Sequence, residues 1–163
     1  MFPKRPGRLR NFSYKGFHRY SLTICTHQRK TVFCDAQLVG DVLGTIRHNA
    51  RDHAFENVAH CFMPDHIHLI ARGTSENADL QAFMARWKQI AGFDYKRATG
   101  NRLWQESYFD HVLRDDEETW RAVKYILENP VRKGLVEHFK DYPFCGSDVY
   151  TLDELNDLFW KQG

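Results

Sequence analysis

Residues 55–72 read FENVAHCFMPDHIHLIAR, and this stretch decides the fold because it contains two short strands on either side of a turn. The segments 55–62 and 66–72 are rich in apolar residues over strand-like lengths. Pro64-Asp65 between them is a turn signal. Together they predict an antiparallel hairpin.

The second strand of this hairpin has two different faces. Residues two apart in a strand point the same way, so His66 and His68 share one face. The alternate positions are apolar and are predicted to face the core, which fixes the register of the strand. These are Ile67, Leu69 and Ala71.

Outward from the hairpin, the hydrophobic spacing predicts the remaining elements. They are a strand at 17–26, helices at 36–52 and 78–97, a strand at 108–114 and a helix between Asp115 and Pro130. Asp115 is predicted to be the N-cap, with Glu118 completing a capping box. Pro130 is predicted to end the helix, because the residue before proline avoids the α region.

This order, β-α-β-β-α-β-α, predicts an α+β fold of the ferredoxin-like kind. We expect a four-stranded antiparallel sheet with the helices packed on one face and the other face free. Residues 1–163 are predicted to form one domain, with a basic N-terminal arm at about 1–16. An amphipathic C-terminal segment at about 148–163 is predicted to pack on the body.

Composition restricts the cellular setting. No apolar run reaches the roughly 18 residues that a membrane span needs, and the N-terminal residues do not resemble a signal peptide. We therefore expect a cytoplasmic protein without a membrane partner. The four cysteines lack metal-ligand spacing, so neither a disulfide framework nor a zinc site is predicted.

The net charge is only +2, but residues 1–30 contain eight basic residues and no acidic ones, with aromatic residues interleaved. Basic side chains neutralise phosphates, and aromatic rings offer faces on which bases stack. The cations predicted to hold a DNA backbone are Arg5, Arg8, Arg10 and Arg19. A solubilising tail is the alternative interpretation of this segment.

His66 and His68 could supply half of a metal site, because a strand holds two imidazoles on one face before any ion arrives. Asp65 could orient the ring of His66, as carboxylates often do for metal-bound histidines. Two surface histidines without a ligand role are the alternative.

Tyr125 and Asn129 are four residues apart, so they lie on the same side of the third helix. An amide oxygen is an acceptable third ligand for a hard cation, which favours Asn129 in that role. A tyrosine needs a metal, a base or a positive neighbour to act as a nucleophile. Lys124, Arg114 and Arg132 are the candidate cations, whereas a tyrosine at the rim of the core is the alternative for Tyr125.

Three segments together resemble a known pattern. Residues 63–69 (MPDHIHL) are similar to the histidine–hydrophobic–histidine strand of the single-tyrosine transposases. Residues 103–114 (LWQESYFDHVLR) and 125–134 (YILENPVRKG) resemble the following strand and the catalytic helix of their chromosomal relatives. The whole is most similar to the transposases associated with repetitive extragenic palindromes in bacteria.

The resemblance implies a chemistry and a substrate. Mg or Mn would be held by His66, His68 and Asn129, although insertion-sequence members often carry the longer glutamine at the last position. Tyr125 would attack single-stranded DNA, giving a 5′-phosphotyrosine link and a free 3′-hydroxyl, followed by strand transfer. Apart from the resemblance, Arg132 and Lys124 are predicted to contact DNA because they are cations near Tyr125.

The implied partner is hairpin DNA from repetitive extragenic palindromes, bound by a monomer or homodimer at the nucleoid. A non-catalytic DNA- or RNA-binding module with the same fold is the main alternative to this transposase. A histidine-triad nucleotide hydrolase is disfavoured because Ile70 stands where a third histidine is needed. A two-histidine phosphoesterase is disfavoured because a second histidine motif is missing.

Overall fold

The computed structural model describes residues 8–161, so the predicted contact residue Arg5 lies outside the described part. The chain forms a five-stranded antiparallel sheet in the order β4-β1-β3-β2-β5. The strands are β1 (Arg19–Cys25), β2 (Phe55–Met63), β3 (His66–Gly73), β4 (Phe109–Leu113) and β5 (Cys145–Gly146). The helices are α1 (Ala36–Asp52), α2 (Leu80–Thr99), α3 (Asp116–Arg132) and α4 (Leu152–Trp160).

The α+β class and the antiparallel sheet confirm the prediction, and the predicted hairpin is β2–β3. One strand was missed. β5 contains two residues, which is too short to give a period-two pattern, and it extends the sheet beyond β2.

Strand register places the two histidines beside β1. His66 lies opposite Cys25 and His68 lies opposite Thr23. Ile67 and Leu69 are buried in a core shared with α1 and α2, as their alternation predicts. The histidines therefore face the opposite side of the sheet.

The helices are divided between the two faces of the sheet, which corrects the prediction that all of them pack on one. Ile70 of β3 is buried with Ile126 and Leu127 of α3 and with Leu155 of α4. The face that carries the histidines is thus covered in part by α3. The reason is that the face that carries the histidines also has apolar residues, which α3 and α4 cover: Val58, Cys61, Met63 and Ile70.

Helix α3 begins as predicted but extends further. The Asp115 side chain accepts a hydrogen bond from the Glu118 amide, whereas the Glu118 carboxylate accepts from the Arg114 amide and so forms no reciprocal bond to Asp115. The helix passes through Pro130 to Arg132, which corrects the predicted end. A proline near the C-terminus removes a single N–H, and Lys133 N still donates to Asn129 O at 3.0 Å.

The C-terminal segment is a capped amphipathic helix. Thr151 and Glu154 form a reciprocal capping box at the start of α4, and Leu155 is buried against the body. All four cysteines are free thiols. Within residues 8–161, the helices are too short or too polar to cross a membrane.

Candidate active site

A cleft of about 450 Å³ opens between the start of β3 and the end of α3. It brings together four residues that the sequence singles out from segments about 60 positions apart. They are His66, His68, Tyr125 and Asn129. Extension of α3 through Pro130 keeps Asn129 on a regular turn of the helix, one turn beyond Tyr125.

The two imidazoles converge through the same ring atom. His66 Nε2 and His68 Nε2 are 3.2 Å apart, and the rings are nearly perpendicular, at 87°. His66 Nδ1 is 2.7 Å from a carboxylate oxygen of Asp65, so Nδ1 carries the proton and Nε2 presents a lone pair to the cleft. His68 Nδ1 lies 3.2 Å from the Thr23 hydroxyl.

This geometry fits a shared cation. Nitrogen ligands lie about 2.0–2.1 Å from a bound ion such as zinc, so two adjacent ligands of one ion are separated by roughly 3 Å. The distance between His66 Nε2 and His68 Nε2 has this value. Among residues 8–161 no three His, Cys, Asp or Glu side chains form such a cluster. An ion here would therefore need the Asn129 amide or substrate oxygens to complete its coordination.

The environment keeps both histidines neutral. Burial lowers the pKa of His66, and the hydrogen bond to Asp65 offsets only part of this effect. Burial, together with the neighbouring His66, lowers the pKa of His68 to about 3. Burial raises the pKa of Asp65, but the hydrogen bond to His66 and the charge of Arg29 bring it below its usual value. Neutral imidazoles beside an ionised carboxylate are the protonation states that metal ligation requires.

Arg29 is a residue of the cleft that sequence reasoning missed. Its Nε donates to Asp65 Oδ2 at 3.0 Å, so the Asp65 carboxylate is held from both sides. Arg29 belongs to a single 3-10 turn after β1 and has a positive φ of 55°. In the sequence it is one of eight basic residues in the first thirty, and nothing marks it as a partner of Asp65.

The tyrosine is placed where a substrate can reach it. Tyr125 is 58% exposed, although it lies on a helix whose other face is buried. The Arg132 guanidinium lies 3.9 Å from the centre of the Tyr125 ring and donates to the Tyr125 carbonyl at 2.7 Å. Asn129 is buried at the wall of the same cleft, and its side chain makes no hydrogen bond within the described residues.

The other predicted DNA contacts lie away from the cleft. Lys124 points toward Glu128 and Trp160, and Arg19 forms an ion pair with Asp116. Arg8 lies over Tyr108 on a different surface. Arg10 is exposed, and Arg114 contributes its backbone amide to the start of α3 rather than a charge to the cleft.

Comparison with known proteins identifies the family of this chain. The family model described as "Transposase IS200 like" matches residues 17–129. A REP-associated tyrosine transposase of Escherichia coli is 33% identical over 115 residues, covering 66% of this chain and 67% of that protein. A Haemophilus influenzae protein, provisionally named as a REP-associated tyrosine transposase, is 27% identical and covers 88% of this chain and 90% of its own length.

A solved structure of a REP-associated tyrosine transposase bound to a REP hairpin has the same fold, with a TM-score of 0.70. It is 24% identical, and the alignment covers 85% of this chain and 81% of that one. The family match runs from β1 to Asn129 of α3 and so includes His66, His68, Tyr125 and Asn129. The chain therefore belongs to the IS200-like transposase family and is similar to the REP-associated tyrosine transposases.

Proposed function

We propose that this protein is a metal-dependent single-stranded DNA endonuclease and strand transferase that acts on palindromic hairpin DNA. The observation that carries the proposal is the cleft in which an exposed tyrosine stands beside two converging imidazoles. Binding alone would not need a histidine pair with both Nε2 atoms directed at one point, next to an exposed phenol.

His66, His68 and Asn129 are the proposed ligands of Mg or Mn. The cation, when bound, supplies Lewis-acid polarisation of the scissile phosphate and orients it for in-line attack. Asp65 holds His66 in the tautomer that leaves Nε2 free, and Arg29 holds Asp65 in turn. Thr23 fixes the ring of His68 through the contact at Nδ1.

Tyr125 is the proposed nucleophile. Its phenolic oxygen forms a bond to the phosphorus, and the bond from phosphorus to the 3′ oxygen breaks. The phenol gives up its proton to solvent, and the departing 3′ oxygen takes one up. The product is a 5′-phosphotyrosine, and attack by another 3′-hydroxyl on the same phosphorus reverses the steps and rejoins DNA.

Positive charge around the cleft supports this chemistry. Arg132 lies against the Tyr125 ring, and Arg29 and Lys133 also line the cleft. Cations at these positions would attract the DNA backbone and stabilise charge that develops on the phosphate. We propose hairpin DNA as substrate because a relative of the same fold was solved with a REP hairpin bound.

The test is cleavage of labelled hairpin DNA taken from palindromes that flank the gene, with Mn, with Mg and with a chelator. We expect a covalent protein–DNA adduct that needs the metal and is absent in Tyr125→Phe. The matched control is Tyr95→Phe, because Tyr95 is a partly exposed tyrosine of α2 outside this cleft. It should retain the adduct.

Removal of a covalent nucleophile in other enzymes reduces the rate on the order of a million-fold, so Tyr125→Phe should leave no measurable adduct. Tight hairpin binding without an adduct under either metal would instead identify the protein as a non-catalytic DNA-binding module. An adduct that persists in Tyr125→Phe would assign the nucleophile to another residue.

A further inference from the structure

A second cleft, of about 570 Å³, lies between α2 and the loop of residues 101–108. Four cationic side chains line it, against one carboxylate, Glu106, among the described residues of its wall. The cations are Arg8, Lys88, Lys96 and Arg102. We call this surface the α2 cleft, and no residue of the candidate active site lines it.

The wall of the α2 cleft is held in place by specific packing. Trp104 lies directly on Gly92, where an added Cβ would come within 3.2 Å of the indole. The Trp104 Nε1 donates to the Lys88 carbonyl at 2.9 Å. A side chain at position 92 would therefore push the indole of Trp104 by a few tenths of an ångström.

Two of the cations are gathered on one aromatic ring. The Arg8 guanidinium lies 5.2 Å from the centre of the Tyr108 ring, and Lys88 Nζ lies 5.3 Å from it. Lys88 Nζ also donates to the Ser107 carbonyl at 3.1 Å, and Ser107 has a positive φ of 67°. Like charges collected in this way repel one another, and a polyanion in the cleft would relieve that repulsion.

The α2 cleft and the candidate active site lie at the same end of the sheet. Cys25 pairs with His66 on one side and accepts a hydrogen bond from the Gln105 amide on the other. Adjacent strands are about 4.8 Å apart, so the loop lies roughly 10 Å from His66. Because α2 and the histidines lie on opposite faces of the sheet, a strand would pass around this end of the sheet, which takes at least about three nucleotides at 3.4 Å each.

We infer that the α2 cleft binds the phosphate backbone of the single DNA strand that extends from the active site. The inference rests on the proposed function, because it takes the DNA in that site as its starting point. The volume of the cleft is in the range of small-ligand pockets, which suits one or two nucleotides of a flexible strand and not a duplex. Its polar, cationic lining indicates contact with phosphates rather than recognition of particular bases.

The test measures binding of fluorescent oligo(dT) of about 12 nucleotides, within the usual range of single-strand site sizes, as a function of salt. The variant is Lys96→Ala with Arg102→Ala, two exposed side chains, of which Arg102 pairs with Glu106 of the loop at 3.6 Å. Two lost phosphate contacts should reduce the slope of log K against log salt by about 1.4, which weakens binding roughly 25-fold at 0.1 M salt.

The matched control is Arg51→Ala with Arg121→Ala, which removes the same charge from exposed positions outside both clefts. It should keep the wild-type slope. An equal loss in the control would show that overall charge is responsible, and an unchanged slope in the Lys96/Arg102 variant would overturn the inference. The thermal unfolding of both variants verifies that they are folded.

Adduct formation on hairpin DNA separates this inference from the proposed function. If wild-type protein forms the adduct and the Lys96/Arg102 variant binds oligo(dT) normally, the α2 cleft is not a DNA site, but the transposase chemistry stands. If the slope falls but wild type forms no adduct, the cleft binds DNA and the proposed nuclease activity is wrong.

A second measurement tests the path of the strand. Neutral methylphosphonate linkages are placed one at a time on either side of the cleaved phosphate. We expect the wild type to lose affinity at linkages about three or more nucleotides away, and the Lys96/Arg102 variant to be insensitive there. Equal sensitivity of both proteins at every position would contradict a strand that runs into the α2 cleft.

Discussion

Two groups of histidines lie on neighbouring strands, and the contrast between them shows what distinguishes a site from a structural contact. His60 on β2 and His66 and His68 on β3 all have pKa values lowered by burial, His60 to about 4 and His68 to about 3. A lowered pKa therefore does not separate the two groups. The two groups differ in the contacts that neighbouring side chains make with the ring nitrogens.

His60 belongs to a polar network that engages its Nδ1 atom. The Asn57 amide donates to His60 Nδ1 at 2.8 Å and to Asp148 at 3.1 Å, and Arg47 pairs with the same carboxylate. Gly146 approaches the His60 ring so closely that a Cβ would lie 3.3 Å away. This network joins α1, β2 and the C-terminal segment, whereas the Nε2 atoms of His66 and His68 meet at a cleft beside an exposed tyrosine.

The largest effect expected from this contrast is on metal binding. His68→Ala removes one of two converging nitrogen ligands, so we expect loss of measurable Mn binding by calorimetry and of metal-dependent adduct formation. His60→Ala should bind Mn as wild type does while its free energy of unfolding falls, because it leaves a cavity and removes one of the two acceptors of the Asn57 amide. Equal Mn affinity in His68→Ala and wild type would show that His66 and His68 are not a pair of metal ligands.

The two carboxylates should differ in the same way. Asp65→Asn weakens the orientation of His66 and is expected to reduce Mn affinity 10- to 100-fold, the usual range for such outer contacts of a metal ligand. Asp148→Asn should leave Mn affinity unchanged and lower the melting temperature. If both changes altered Mn affinity alike, overall charge and not the position of the carboxylate would determine Mn affinity.

The pH dependence of stability tests His60 by itself. Its folded-state pKa of about 4 lies below the value of about 6.5 in the unfolded chain. The unfolded state therefore binds the proton more readily, and stability falls as the pH drops from about 6.5 toward 4. Between pH 7 and pH 5 this group should account for roughly 2 kcal/mol of the loss.

Chemical denaturation at the two pH values measures this contribution. His60→Asn should lose about 2 kcal/mol less than wild type between pH 7 and pH 5. His48→Asn, an exposed position on α1, should keep the wild-type dependence. His66 and His68 are present in all three proteins, so the difference isolates His60; equal losses in all three would refute the assignment.

The smallest effect is expected at Thr23. Thr23→Val keeps the shape of the residue and removes the hydroxyl that contacts His68 Nδ1 at 3.2 Å. A neutral hydrogen bond contributes about 1 kcal/mol, so Mn affinity should fall about fivefold, with Ser21→Ala, an alternate position on the same strand, as the control. No change in Thr23→Val would mean that packing alone orients the His68 ring.

The sequence anticipates the elements better than their arrangement. The predicted helix at 36–52 matches α1, and the hairpin strands match β2 and β3 within one residue. The position of α3 on the histidine face was not predicted, because period-two and period-3.6 patterns report burial but not which layer supplies it. Pro130 was misjudged because a proline in the last turn of a helix removes only one hydrogen bond.

In the candidate site too, residues marked by local patterns were predicted and residues brought in by the arrangement of the elements were not. His66, His68, Tyr125 and Asn129 were selected from local spacing and from the family resemblance, and they line one cleft. Arg29 and Thr23 were missed as members of this site, since each contacts it through strand pairing or a turn that joins distant segments. Arg8 was predicted to contact the DNA backbone. Its position in the α2 cleft was not predicted, because it depends on a loop more than ninety residues away.

The short strand β5 has a consequence for how the chain avoids associating with itself. The segment 144–148 covers the outer edge of β2: Phe62 donates to the Phe144 carbonyl at 2.8 Å, and Asp148 donates to the Asn57 carbonyl at 3.0 Å. A chain that stopped before residue 144 would leave β2, which is buried on both faces, as an open edge that can template pairing with another copy. Residues 144–148 thus protect this edge of the sheet through backbone contacts that depend little on their side chains.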